Sequence, residues 1–209
     1  MAIWTFVDFN VPEARRLADL TGVEYDLRQS AEFCRELIKR REVSPYGDME
    51  ILQALCVAAI TIYGRTLGTG VRTGISRDQI ERLTPELQEE HQYFKDLRDK
   101  WIAHSVNAYE HNNVVARPVP EERGERKIYD VSVQHTRVAI ISDHDIRNLL
   151  KLIGELLKLV NADLALEKAS VLAFAQSLPV EPFYSGASSA APVASRIEAG
   201  KPRKKMGES

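Results

Sequence analysis

The chain has 209 residues, 44% of them hydrophobic, which fits one domain or a domain with an appendage and supplies enough apolar surface for a core. Net charge is −2, so no overall basic field of the kind found on nucleic-acid binders is present, and any polyanion site has to be a local patch. The two cysteines, Cys34 and Cys56, lie inside apolar helical patterns without CxxC spacing, which speaks against zinc ribbons and redox motifs and suits a reducing cytosol.

The opening MAIWTFVDFN lacks a basic n-region and its apolar run breaks at Asp8, so it reads as an extended arm or short strand and not as a signal peptide. Asn10 as N-cap, Pro12 in the first turn and Glu13 in a capping-box position predict a short helix to about Leu20, ended by Gly22. A second helix is expected over 24–41, with Leu27, Ala31, Cys34, Leu37 and Ile38 on one stripe. After SPYGD a third helix starts near Asp48, with Met49, Leu52, Cys56, Ala59, Ile60 and Tyr63 on one side. Its centre, LCVAAITIY, is apolar nearly all round, which marks it as the most buried helix.

GRTLGTGVRTG, residues 64–74, holds four glycines and two arginines. It lacks the Gly-Lys-Ser/Thr ending of a P-loop and follows a helix, so a helix stop and a flexible turn are expected. Ser76 and Gln79 suggest a capped turn, and Thr84 followed by Pro85 starts the next helix. Beyond Asn107 the stretches NNVVARPV, KIYDVSVQ and RVAIIS predict a small antiparallel meander, with Tyr129, Val131 and Val133 alternating with polar residues. Ser142 with Asp145 at N3 caps a long last helix, whose stripe is Ile146, Leu149, Leu150, Ile153, Leu156, Leu157, Val160 and Leu164 and which is expected to reach Phe174. The small, polar, Pro/Gly-rich remainder cannot bury enough surface to offset its ordering entropy and is expected to be disordered. From Gln176 onward it carries five basic and three acidic residues, which leaves 23 basic and 27 acidic residues in the body. No run approaches the ~18 apolar residues of a membrane span.

The chemistry-bearing stretch is YFKDLRDKWIAHSVNAYE, residues 93–110. At about 100° per residue, Leu87, Phe94, Leu97, Trp101 and His104 share a core-facing stripe, while His91, Lys95 and Arg98 share a neighbouring one. Arg98 and His104 are six residues apart, roughly 120° round a straight helix. They converge only beside the last turn, or across an interface between two copies of the helix. The plain alternative is a core or C-terminal His104, favoured by the helix dipole, and a surface ion-pairing Arg98.

Read whole, LRDKWIAHS resembles the signature of the HEPN superfamily: an arginine, a polar residue, and a histidine after a short spacer, here Arg98, Asp99 and His104 with five residues between the first and the last. The resemblance extends over the apolar helix before the glycine-rich turn, the motif helix and the long last helix. It implies a mainly α fold, a HEPN-like four-helix bundle with the β-meander inserted before the last helix. The corresponding organisation is 1–22 as an N-terminal arm and short helix, 23–175 as the helical domain with the insertion at about 109–141, and 176–209 as the tail.

By the same resemblance the chain is expected to be a metal-independent endoribonuclease of the toxin or abortive-infection kind, needing no cofactor or metal. RNA is then the substrate, a homodimer the expected assembly and an antitoxin protein a candidate further partner; the buried thiols and the absence of a signal-peptide pattern make the cytoplasm the expected location. His104 would act as general acid/base, Arg98 would stabilise the phosphate and Asp99 would orient the histidine or the nucleophile. Arg65, His91, Asn107 and Glu110 are candidate substrate-binding residues; their plain readings are a helix-closing cation, a solvated helix residue, a helix C-cap and a surface charge. The acidic body favours a different class, a non-catalytic HEPN-like module that binds a partner protein or a nucleotide. KPRKK near the C-terminus reads as a solvated basic end, and His135 and His144 lie too far from carboxylate clusters to suggest a metal site.

Overall fold

A computed structural model of the chain describes residues 7–45, 47–68, 72–103, 109–185, 196 and 200. The protein is mainly helical with a small two-stranded antiparallel sheet. Its helices are α1 (Arg15–Val43), α2 (Met49–Arg65), the short α3 (Arg77–Glu81), α4 (Pro85–Leu97), α5 (Asp143–Ser177) and the short α6 (Glu181–Ser185). The strands β1 (Glu110–Pro118) and β2 (Ile128–Arg137) lie between α4 and α5. No described helix is long and apolar enough to cross a membrane.

The frame is the antiparallel pair α1 and α5, 29 and 35 residues long. At one end Arg41 pairs with Asp143 at 2.9 Å and Arg147 with Glu42 at 2.9 Å. At the other, Phe9 packs against Phe174 and Phe183, with ring centroids 6.1 and 5.6 Å apart. α2 lies on α1, and α4 touches both α2 and α5. The core between them holds Leu27, Cys34, Leu37, Leu52, Ile60, Tyr63, Phe94, Leu149, Ile153 and Leu156, each at most 1% exposed. These are the apolar stripes read from the sequence, apart from Met49, which is 38% exposed at the start of α2. From Leu55 to Gly64 no residue of α2 is exposed, as its all-round apolar pattern predicts.

Three sequence expectations differ from the fold. Gly22 does not end a helix: α1 runs through it without interruption, entered by a 3-10 turn at Pro12–Ala14 whose cap position is Val11 rather than Asn10. The meander has two strands, not three. Val138 donates one hydrogen bond to the Tyr109 carbonyl (2.8 Å), and the chain then leaves the sheet to bury Ile141, 4% exposed, in the helical core. α5 extends to Ser177, and Glu181–Ser185 adds a helical turn within the segment expected to be disordered; most of the chain after Ser185 lies outside the described residues.

The hairpin pairs Glu110 with Arg137 at its base and Pro118 with Ile128 near its tip, with a register irregularity after Arg117. Its alternating residues Tyr129, Val131 and Val133 stay 76%, 60% and 62% exposed, because neither strand makes an extended contact with a helix. The body holds it through Tyr109, whose ring packs edge-on against Trp101 (5.8 Å) and whose hydroxyl is 3.4 Å from that of Tyr93.

Candidate functional site

The motif follows α4. Thr84 and Pro85 start that helix at the predicted position, although the Thr84 side chain makes no cap hydrogen bond. Leu87, Phe94, Leu97 and Trp101 are buried as predicted, 0–5% exposed, and their stripe fixes which side of the helix faces α2 and α5.

After Leu97 the backbone changes. Arg98–Ile102 is a π-helical turn, closed by Ala103 N–H donating to the Arg98 carbonyl at 3.0 Å. An i→i+5 turn advances each residue by less than the ~100° of an α-helix, so the straight α-helix assumed for the motif is interrupted at Arg98. Turns of this kind are rare and concentrate at functional sites. His104 and Asn107 lie outside the described residues.

Arg98 is contacted at both its stem and its head. Its stem lies across Gly64 of α2: a Cβ added to that glycine would stand 2.5 Å from Arg98 Cγ and 3.1 Å from both Cδ and Nε. At the other end Nη1 donates to Asp99 Oδ1 at 2.6 Å. Both side chains are nearly half-exposed, so the pair lies at the surface with its stem packed.

The other candidates fall in three different places. His91 is tied to α2: Nδ1 is 2.7 Å from the hydroxyl of Tyr63, whose side chain is fully buried, with the rings edge to face. Burial holds the His91 pKa below the usual imidazole range, helped by the nearby Lys95 charge, and burial pushes the Tyr63 phenol up. The imidazole is therefore neutral at pH 7 with the Tyr63 hydroxyl as its natural donor. Arg65, more than half exposed, reaches to 3.5 Å from Asp26 of α1. Glu110 stands at the hairpin base opposite Arg137.

Several residues that organise this region drew no attention in the sequence. Asp26, 2% exposed, accepts from Arg72 at 2.6 Å, and Arg72 also donates to the Arg65 carbonyl at 2.9 Å. Asp19, 4% exposed and seven residues earlier on the same face of α1, accepts from the Thr73 backbone N–H at 3.0 Å. Thr66 is fully buried, and its carbonyl accepts from Ile75 at 2.8 Å. The described parts of the glycine-rich segment are thus anchored at both ends. Two carboxylates seven apart between apolar helix positions, followed by an arginine-bearing loop, were the available signal. Among the described residues no group of three or more His, Cys, Asp or Glu side chains is placed to hold a metal ion.

Chemically, the arrangement offers an arginine with a packed stem and an accessible head, a carboxylate fixed to it, and a neutral histidine held by a tyrosine two turns earlier. Compared with protein-family models, curated proteins and solved structures, the chain matches none.

Proposed function

We propose that this chain is a metal-independent endoribonuclease with a HEPN-like four-helix body, made by α1, α2, α4 and α5. Arg98 binds and stabilises the phosphate, His104 is the general acid/base, and Asp99 orients. The observation that carries the reading is Arg98, laid on Gly64 and tied to Asp99 at 2.6 Å within a π-helical turn. A guanidinium restrained at its stem and by Asp99, with its side chain nearly half-exposed, suits a phosphodiester, because paired N–H donors held in place meet the non-bridging oxygens with little reorganisation.

In the proposed reaction the 2′-hydroxyl attacks the adjacent phosphorus. The bond to the 5′-oxygen breaks, leaving a 2′,3′-cyclic phosphate and a free 5′-hydroxyl. A histidine near its ordinary pKa can take the 2′-proton or supply one to the leaving oxygen at neutral pH. The expected homodimer rests on the resemblance. A cytoplasmic toxin or defence role with an antitoxin partner belongs to the same reading.

A second reading is favoured by the charge balance. The body carries more acidic than basic residues, whereas RNA enzymes need a basic path. It is a non-catalytic module of the same fold that binds a partner protein or a nucleotide.

Incubation of the purified protein with a labelled single-stranded RNA and excess EDTA decides between them. The ribonuclease reading expects cleavage with cyclic phosphate ends, reduced by roughly 10²–10⁴-fold in His104→Ala and strongly reduced in Arg98→Ala. An inert wild type sinks it and leaves the binding module.

A further inference from the structure

Gly64 occupies the last turn of the most apolar helix in the chain, where glycine lowers helix stability relative to alanine. Its backbone does not require glycine, since Gly124 is the only described glycine with positive φ. The reason is space. The added Cβ would meet Arg98 at Cγ, Cδ and Nε, the near and middle part of the side chain and not its flexible end. To clear a Cβ at 2.5 Å from Cγ, Arg98 has to change χ1, and a change at χ1 swings the guanidinium away from its present place.

The Arg98 backbone is held in place. Leu97 and Trp101 on either side of it are buried, the π turn closes on its carbonyl, and the Tyr63–His91 hydrogen bond clamps the same two helices one residue before Gly64. The comparison with Gly154 is direct. That glycine lies in the middle of α5, and a Cβ added there meets nothing within 4 Å. The two positions differ in what covers them, and only Gly64 is covered by a motif residue.

We infer that Gly64 is a positioning residue for Arg98: the missing side chain at 64 forms the seat that aims the guanidinium at a bound phosphodiester. Asp99 holds the head of the arginine and Gly64 holds its stem, so the phosphate-binding group is set before substrate arrives. The functional half of this inference rests on the ribonuclease reading; the structural half, that Arg98 is seated on Gly64, does not.

The test is a double-mutant cycle of Gly64→Ala and Arg98→Ala, with Gly154→Ala as the control helix glycine, read by RNA cleavage and by thermal melting. Gly64→Ala is expected to lower kcat at least tenfold, since misplacement of a binding group by about an ångström can cost 10²-fold. In the Arg98→Ala background the same change should lower it no further, whereas a loss through general destabilisation would add. Gly64→Ala should lower Tm in the wild type but leave it unchanged or raised in Arg98→Ala, where the alanine has room. Gly154→Ala should leave cleavage unchanged and Tm unchanged or raised. Wild-type cleavage by Gly64→Ala, or additive effects in the cycle, overturns the inference. If the wild type does not cleave RNA, the ribonuclease reading and the catalytic half fall together. The melting cycle then still decides the seat: additive shifts overturn it and non-additive shifts uphold it.

Discussion

The hydroxyl of Tyr63 stands 2.7 Å from His91 Nδ1, a part-buried polar contact between α2 and α4. Tyr63 is fully buried and its ring also meets Phe94 edge to face at 6.4 Å, so the hydroxyl has no access to water as an alternative partner. Tyr63→Phe leaves the histidine nitrogen without its donor. The expected loss is about 1–3 kcal/mol, read as a shift in the denaturant midpoint at pH 7. No measurable shift would mean that the contact is dispensable.

The same pair predicts a pH dependence. The folded-state pKa of His91 lies below its ordinary value of 6.5, and burial is the first cause. The unfolded chain therefore binds a proton that the folded one resists. The contribution is fully present above pH ~6.5 and is lost as pH falls from there through the folded-state value. Melting between pH 7.5 and 5 should show a steeper fall for the wild type than for His91→Gln, which cannot titrate. Parallel curves would refute the assignment to His91.

Asp26 faces two arginines of different character. Arg72, 18% exposed, sits at 2.6 Å, and Arg65, 56% exposed, at 3.5 Å. Asp26→Ala leaves Arg72 largely buried without its carboxylate and should destabilise by about 3–5 kcal/mol. Arg65→Ala should cost at most ~1 kcal/mol, because its ion pair is long and solvent-screened. Equal costs for the two substitutions would contradict the geometry.

The hairpin is expected to be removable. Its strands pack on each other and make no extended contact with a helix, and Glu110 and Arg137 are cross-strand partners at its base. Replacing residues 112–135 with a two-residue Asn-Gly turn should preserve the helical circular dichroism and shift Tm by no more than a few degrees, since no core residue is lost. Loss of the cooperative transition would show that the hairpin supports the body.

Both thiols should be inert in the folded protein. Burial, with Cys56 nearby, pushes the Cys34 pKa up to about 12, and burial also raises that of Cys56. The thiolate is the reactive form, so neither cysteine should react with a disulfide reagent at pH 8, while two should react in denaturant. Rapid reaction of the native protein would indicate that α1 and α2 open readily.

Much of the fold was legible in residue order. The capping box of Ser142 and Asp145 forms as predicted, with Asp145 N–H donating to Ser142 Oγ at 3.1 Å, and so does that of Ser76 and Gln79. Apart from Met49, the apolar stripes of α2, α4 and α5 face the core they were assigned. These features depend on neighbours within one or two turns, where spacing and cap chemistry carry the information. The candidate site was legible only as a motif. That Arg98 and Asp99 pair follows from adjacency, but the π turn that displays them does not.

What the tertiary structure decided concerns residues distant in sequence. Gly22 would end an isolated helix, yet α1 continues through it because packing along α5 outweighs the local cost, and the glycine leaves room for the Arg72 side chain, whose Nη1 would lie 3.0 Å from an added Cβ. Glycine at position 64 is likewise accounted for by Arg98, 34 positions later. In the glycine-rich segment, Arg72 and Thr73 are fastened to Asp26 and Asp19, about 50 residues earlier. RVAIIS has strand composition, but Ile141 gains more by entering the helical core than by adding a third strand to a solvated hairpin. Local pattern determines which conformations a segment favours. The tertiary structure decides among them through burial and polar partners that only the assembled helices provide.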